Sequence, residues 1–295
     1  MIKDFLKKHG DYRDDKSFKE LTTIKMGGKI SHYVEPYNVS DLTEIINFIK
    51  ENKIDYKIIG NGSNLIVGSS NYEGIVISLK HFDNYEINNE EVYVEAGVLS
   101  PYFSGVLAKA GLSGFEFAGG IPGTIGGLIY MNAGAYKKEI GDLIKEVTVL
   151  RSGKVETLKR EELKLSYRYS IFQEHPHWTV LSCTLKLSHK DPEEIKELME
   201  ERLTRRKNTQ PLDMPSAGSC FRNPENKFAW ELIDELGYRG YSLNGIEVSN
   251  KHSNFIVNKG NGRAEDYLNI VYDIQKKVKD KYNIKLIMEV EKFNC

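Results

Sequence analysis

Apolar residues recur along this chain at two spacings. Leu42, Ile45, Ile46 and Ile49 fall three and four apart, the period of a helix with one buried face, and predict a helix over 41–51 capped by Ser40. The same spacing predicts helices over 101–110, 192–207, 228–236 and 263–282. Pro101 opens the first, Asp191 caps the second, and Gly111 and Gly237 end the first and third. The charged run 1–18 reads as an amphipathic start helix. Short β-branched runs predict strands over 30–35, 56–59, 65–67, 74–79, 91–96, 144–150, 155–159, 178–187, 254–258 and 284–291. Residues 211–224 read as a loop. Helices and strands mix without strict alternation, so the class is α+β.

One stretch breaks both periods. GLSGFEFAGGIPGTIGGLIYMNAGAY (111–136) carries eight glycines in 26 positions and a single charge, Glu116. That density weakens any helix or strand, so a loop is expected throughout. The excess of main-chain N–H groups, with Thr124 and Asn132 among them, suits an anionic, phosphate-bearing ligand. A turn cluster that merely packs elements together is the alternative. A second small-residue turn, Gly60-Asn61-Gly62-Ser63-Asn64, lies between two apolar runs. Leu65 stands where a dinucleotide fingerprint needs Gly or Ala, and a strand follows where that motif needs a helix, so this is no Rossmann turn. Two such loops suggest two walls of one nucleotide site.

Composition shifts after Leu187, from glycine- and strand-rich to charged and helical. The expected division is 1–82 and 83–190 as two subdomains of a cofactor scaffold, and 191–295 as a smaller α+β substrate domain. A net charge of −1 argues against nucleic acid as the main partner. No apolar run reaches membrane-spanning length, and residues 1–15 lack the apolar core of a secretory signal. Cys183, Cys220 and Cys295 are odd in number and lack metal-ligand spacing, so they read as reduced thiols in a cytoplasm. The seven histidines show no metal-ligand spacing either, so no metal is expected. G-x-S-x-G is absent, which removes the serine-hydrolase elbow.

Seven strings occur in order: TTIKMGGKISHYVEP (22–36), IGNGSNLIV (59–67), GFEFAGGIPGTIGGLIYMNAGAY (114–136), LSYRYSIF (165–172), PSAGSCFRNP (215–224), KHSNFIVNKG (251–260) and MEVEKFN (288–294). Together they resemble the UDP-N-acetylenolpyruvoylglucosamine reductase (MurB) family, in its shorter variant. The first half also resembles the wider FAD-binding fold of the PCMH, vanillyl-alcohol-oxidase type. The resemblance implies an FAD enzyme of peptidoglycan precursor synthesis that takes hydride from NADPH and reduces the enolpyruvyl group of a UDP-sugar. It implies non-covalent FAD, since GNGSN holds no tethering histidine. The implied cofactor contacts are Asn61, Gly62, Ser63, Asn64, Leu65, Gly119, Gly120, Gly123, Thr124, Gly126, Gly127, Asn132, Gly134 and Ala135. Arg168, Ser219 and Glu289 are the implied catalytic residues, and Lys207 and Asn223 the implied substrate contacts. Met288 stands where the family has proline. The expected oligomeric state is a monomer.

The residues themselves leave alternatives open. Arg168 could be a structural arginine at a strand edge, and Glu289 the solvent-facing member of an alternating strand. A different oxidase or dehydrogenase on the same FAD scaffold would keep the glycine-rich loops. So would a non-catalytic nucleotide-binding module. Both leave Arg168, Ser219 and Glu289 without a purpose.

Overall fold

The computed structural model describes residues 2–295, which form two units threaded alternately by the chain. The first takes the stretch to Asp14, then His32–Asn61 and Gly74–Thr204. The second takes Asp15–Ser31, Gly62–Glu73 and Arg205–Cys295.

The first unit is built on a five-stranded antiparallel sheet. Its order is Lys154–Lys159, Ile144–Arg151, Thr179–Lys186, Glu91–Glu95, Tyr85–Asn88. Glu91–Glu95 alternates as its pattern requires, with Val92 and Val94 buried. A second sheet runs Gly10–Arg13, Ile30–Pro36, Tyr72–Ser78, Tyr56–Ile59, its last two strands parallel. Helix Val39–Glu51 buries Leu42, Ile45, Ile46 and Ile49 in one core with Val34, Ile75 and Ile77. Each such side chain contributes about 1.5–3 kcal/mol on leaving water. Its cap is Asn38 rather than Ser40: the Asn38 amide oxygen accepts the Asp41 N–H at 3.0 Å.

The start helix is shorter than predicted. Helix Ile2–Lys8 gives way to strand Gly10–Arg13, paired with Ile30–Pro36 in the register Gly10↔Pro36; the Met1 end of the predicted helix lies outside the described residues. A partner strand outweighs the weak helical pattern there.

The glycine-rich stretch also departs from expectation, because it contains helix Ile125–Met131. Thr124 caps it, accepting the Gly127 N–H at 3.3 Å. Each glycine costs a helix about 1 kcal/mol relative to alanine. Tight packing accounts for Gly126, where a Cβ would come within 3.1 Å of the Ala96 Cβ. After the helix, Gly134–Ala135 and Lys138–Glu139 form a small hairpin. Tyr136 and Lys137 both take φ > 0 between its strands, as a two-residue hairpin turn requires.

The second unit has its own core of Ile24, Met26, Ile66, Phe221, Ile256, Tyr267, Ile274 and others. Strands Ser216–Ser219, Phe255–Asn258, Ile246–Val248 and Ser242–Leu243 form an antiparallel sheet in that order. Residues 211–224 are therefore not all loop. Helix Ala264–Tyr282 buries Tyr267, Val271, Ile274 and Val278 along one stripe. The predicted strand 284–291 is instead an extended segment joined to its neighbour by one bridge, Phe221↔Met288. A ladder forms only beyond it, where Glu291–Phe293 runs parallel to the buried strand Leu65–Val67. Among the described residues no helix is long and apolar enough to cross a membrane.

Candidate functional site

Residues from the two glycine-rich loops meet within the first unit. The Asn61 amide donates to the Pro122 carbonyl at 2.7 Å, and a Cβ on Gly60 would come within 2.6 Å of the Thr124 hydroxyl. Among the described residues, no N–H from Gly60 to Asn64 donates to another main-chain carbonyl. Successive N–H groups left in this way form a nest for an anion. Gly62 is required by conformation: its φ is +58°, and a Cβ would fall 2.1 Å from the Leu21 carbonyl oxygen in the second unit. Ser63 and Asn64 are half-buried and Leu65 is buried. Asn64 has a further task. Its amide donates to the Glu289 carbonyl at 3.1 Å, and its own carbonyl accepts the Glu291 N–H at 2.9 Å.

Along the second loop, Gly119, Gly120, Gly126, Gly127, Gly134 and Ala135 are half-buried and Gly123 is buried. Thr124 and Asn132 use their side chains on the protein itself. Asn132 is 1% exposed and left-handed. Its amide donates to Glu139 at 2.8 Å and to the Ser166 carbonyl at 2.9 Å, and its oxygen accepts the Gly141 N–H.

Arg168 occupies a tight turn closed by Ser166 and Tyr169, whose main chains exchange hydrogen bonds. Its φ is +57°, costly for a residue with a side chain. Neighbouring residues hold it there. Gln173 donates to its carbonyl at 3.0 Å, and the guanidinium donates to the Gly134 carbonyl at 2.9 Å. The guanidinium lies 4.0 Å from Glu139 and over the Tyr167 ring.

The second unit brings Ser219 and Glu289 into neighbouring segments. Ser219 ends strand Ser216–Ser219, half-buried and paired with Phe255. The next residue, Cys220, accepts the Glu289 N–H at 2.8 Å through its carbonyl. Burial pushes the Cys220 thiol up to about 12. Asn254 fixes this chain by bonding both the N–H and the carbonyl of Phe221. Asn223 caps helix Ala229–Glu235 through its amide oxygen, at 3.1 Å from the Ala229 N–H. Lys207 is exposed near the end of helix Pro192–Thr209, and its carbonyl accepts the Lys251 ammonium.

Sequence reasoning missed the supports: Glu139 and Gln173 for Arg168, Asn254 for Phe221, and Asn64 for the Glu289 segment. Asn254 lies in one of the quoted strings, KHSNFIVNKG. Glu139 and Gln173 have no local signal, because each acts across a turn.

Comparison with known proteins finds relatives over nearly the whole chain. The C-terminal domain of UDP-N-acetylenolpyruvoylglucosamine reductase matches residues 210–293, and an FAD binding domain matches residues 30–159. A UDP-N-acetylenolpyruvoylglucosamine reductase of Caldanaerobacter subterraneus subsp. tengcongensis is 41% identical over 291 residues, 98% of this chain and 96% of that protein. One from Clostridium novyi is 41% identical, covering 92% of this chain and 89% of its own. The crystal structure of the Thermus caldophilus enzyme superposes with a TM-score of 0.81 at 33% identity, covering 96% of this chain and 98% of that one.

Proposed function

Because the chain belongs to the UDP-N-acetylenolpyruvoylglucosamine reductase family, we propose that it performs that family's reaction through Arg168, Ser219 and Glu289. It is an FAD-dependent oxidoreductase of peptidoglycan precursor synthesis, reducing UDP-N-acetylglucosamine enolpyruvate to UDP-N-acetylmuramate. Bound FAD supplies the hydride, with NADPH as the reductant.

The chain fits that cofactor. The uncommitted N–H groups of Gly60–Asn64 suit its phosphates, and the adjoining residues Pro122 and Thr124 extend the wall.

The rest follows from the substrate. Hydride added to the terminal carbon of the enolpyruvyl group leaves negative charge on the neighbouring carbon, spread into its carboxylate. A guanidinium is always charged and grips a carboxylate with two parallel hydrogen bonds, which suits Arg168 to this charge. Ser219 gives the proton to the carbon. A hydroxyl is a weak acid in water, but a carbanion supplies the driving force. Glu289 is the carboxylate that orients substrate or relays the proton back to Ser219. Lys207 and Asn223 are the substrate contacts of the same reading. A cytoplasmic location and a monomeric state also belong to it, and the three unpaired cysteines support the reducing compartment.

The observation that carries this assignment is the segment pairing in the second unit. It sets Glu289 opposite Cys220, one residue from Ser219. The test is Glu289→Gln. If the carboxylate only accepts hydrogen bonds, the amide oxygen restores part of the activity lost in Glu289→Ala. If it relays a proton, Gln and Ala are equally damaging. Wild-type turnover in both variants would remove Glu289 from the mechanism.

A further inference from the structure

The second sheet of the first unit brings three side chains with metal-binding atoms to one place. Asp11 and Glu35 stand directly opposite each other on strands Gly10–Arg13 and Ile30–Pro36. His81 follows strand Tyr72–Ser78, the next in the sheet. From this grouping we propose a site for a divalent transition ion of zinc type, held by Asp11 Oδ2, Glu35 Oε2 and His81 Nε2. None of the three belongs to the cofactor, substrate or catalytic residues, so the proposal stands apart from the assigned reaction.

Three observations carry it. The first is the spacing of the donor atoms. His81 Nε2 lies 3.0 Å from Asp11 Oδ2 and 3.9 Å from Glu35 Oε2, and the three atoms all fall within 4.8 Å of one another. Ligands of a tetrahedral zinc ion, each about 2.0–2.2 Å from the metal, sit about 3.3–3.6 Å from one another, so small side-chain adjustments close the set. One imidazole and two carboxylates suit zinc, with water in the fourth position.

The second is charge. Like charges directly opposite across two strands are destabilising. An imidazolium at His81 would cancel one of the two negative charges, whereas a divalent ion cancels both. Lys80 is a loose counter-charge, its ammonium 4.0 Å from Glu35 and its side chain 74% exposed. Without an ion, the His81 N–H bonds Asp11. The ion takes the place of that proton, which leaves to solvent.

The third is the support behind the carboxylates. The Tyr33 hydroxyl donates to Glu35 Oε1 at 2.7 Å, and the Tyr37 hydroxyl donates to Asp11 Oδ1 at 3.3 Å. Each carboxylate thus has one oxygen tied to a tyrosine and turns the other toward His81. Hydrogen bonds of this kind orient the ligands of metal sites. Tyr33 is buried, and the Glu35 side chain is 14% exposed, so the inner half of the site is rigid. An ion here ties together three adjacent strands. Asp11 and His81 are 70 residues apart in the chain, which is why no local spacing announces the site.

The test uses the flavin-loaded full chain, freed of metal with a chelator and titrated calorimetrically with Zn²⁺ alone. One ion per chain is expected to bind, and the melting temperature to rise with it. Tyr33→Phe keeps the ring and removes the support of Glu35, and should weaken binding by roughly 10- to 100-fold. His81→Ala removes a ligand, so it should weaken binding further and abolish the rise in melting temperature. Flavin reduction by NADPH should stay at the wild-type rate. Should His81→Ala fold poorly, Asp11→Asn carries the same comparison, because it keeps an oxygen for Tyr37. Equal affinity for Zn²⁺ in the wild type and these ligand variants would overturn the proposal, since the ion would then be bound elsewhere. So would a wild-type protein that binds no Zn²⁺, which would leave the trio an ion pair bridged by imidazolium. Ca²⁺ bound as tightly as Zn²⁺ would contradict the nitrogen ligand.

Discussion

Arg168 and Ser219 are ordinary residue types in short polar strings, and their chemistry depends on where the chain holds them. The substrate carboxylate already carries a charge, and the reacting complex carries a second. A fixed cation is therefore needed more in the transition state than in the ground state. Arg168→Lys keeps the charge and loses the fork. It should lower the reoxidation rate more than it weakens UDP-sugar binding, as read from single-turnover rates against Kd. Equal losses in both would mean that Arg168 binds substrate and does no more. Ser219→Ala should slow reoxidation by roughly 100- to 10,000-fold, the usual contribution of a general acid, and spare reduction by NADPH. Equal slowing of both halves would indicate a disturbed flavin shell. At this scale the sequence was legible only through ordered strings. Arg168 alone could equally be a strand-edge arginine. Its support by Gln173 and Glu139 comes from residues with no regular spacing to it.

Elements with a steady period were legible, and those made by tertiary partners were not. Helices Val39–Glu51 and Ala264–Tyr282 each show an apolar stripe in sequence and bury it. Helix Ile125–Met131 hides among glycines, because close packing on Ala96 decides its composition. Strand Ser216–Ser219 has no β-branched residue and exists because Phe255–Asn258 lies beside it. The extended segment at 284–290 has the opposite character, a strand-like sequence with a single bridge. Two substitutions test this account of the glycine-rich element. Gly126→Val should lower both melting temperature and bound FAD, since even its Cβ would crowd Ala96; full flavin content would contradict that. Asn132→Ala strands the buried Gly141 N–H and takes one of two donors from the Ser166 carbonyl, which keeps the Tyr169 N–H. It should cost about 1–3 kcal/mol in denaturant unfolding. A loss below about 0.5 kcal/mol would show that water replaces the amide.

At the scale of the molecule, the composition shift after Leu187 marks the change from a glycine-rich scaffold to a charged helical region. It does not reveal that residues 15–31 and 62–73 are grouped with 205–295, since that grouping comes from long-range partners. One bond of this kind is Thr23 to the Ser216 carbonyl at 2.7 Å. The two cores predict the thiol chemistry. Cys183 and Cys220 are buried, each thiol raised by burial, and Cys295 is exposed. A thiol reagent on the native protein at pH 8 should label one cysteine quickly, Cys295, and the other two only on unfolding. Rapid labelling of Cys220 would mean that the chain around Ser219 opens.

The central claim is that this chain passes hydride from NADPH through bound FAD to an enolpyruvyl UDP-sugar. The most direct measurement follows the flavin absorbance of the purified protein without oxygen. NADPH should bleach the yellow colour. UDP-N-acetylglucosamine enolpyruvate should then restore it, with one UDP-N-acetylmuramate formed per flavin. A flavin that bleaches and stays reduced after the enolpyruvyl sugar is added would contradict the account.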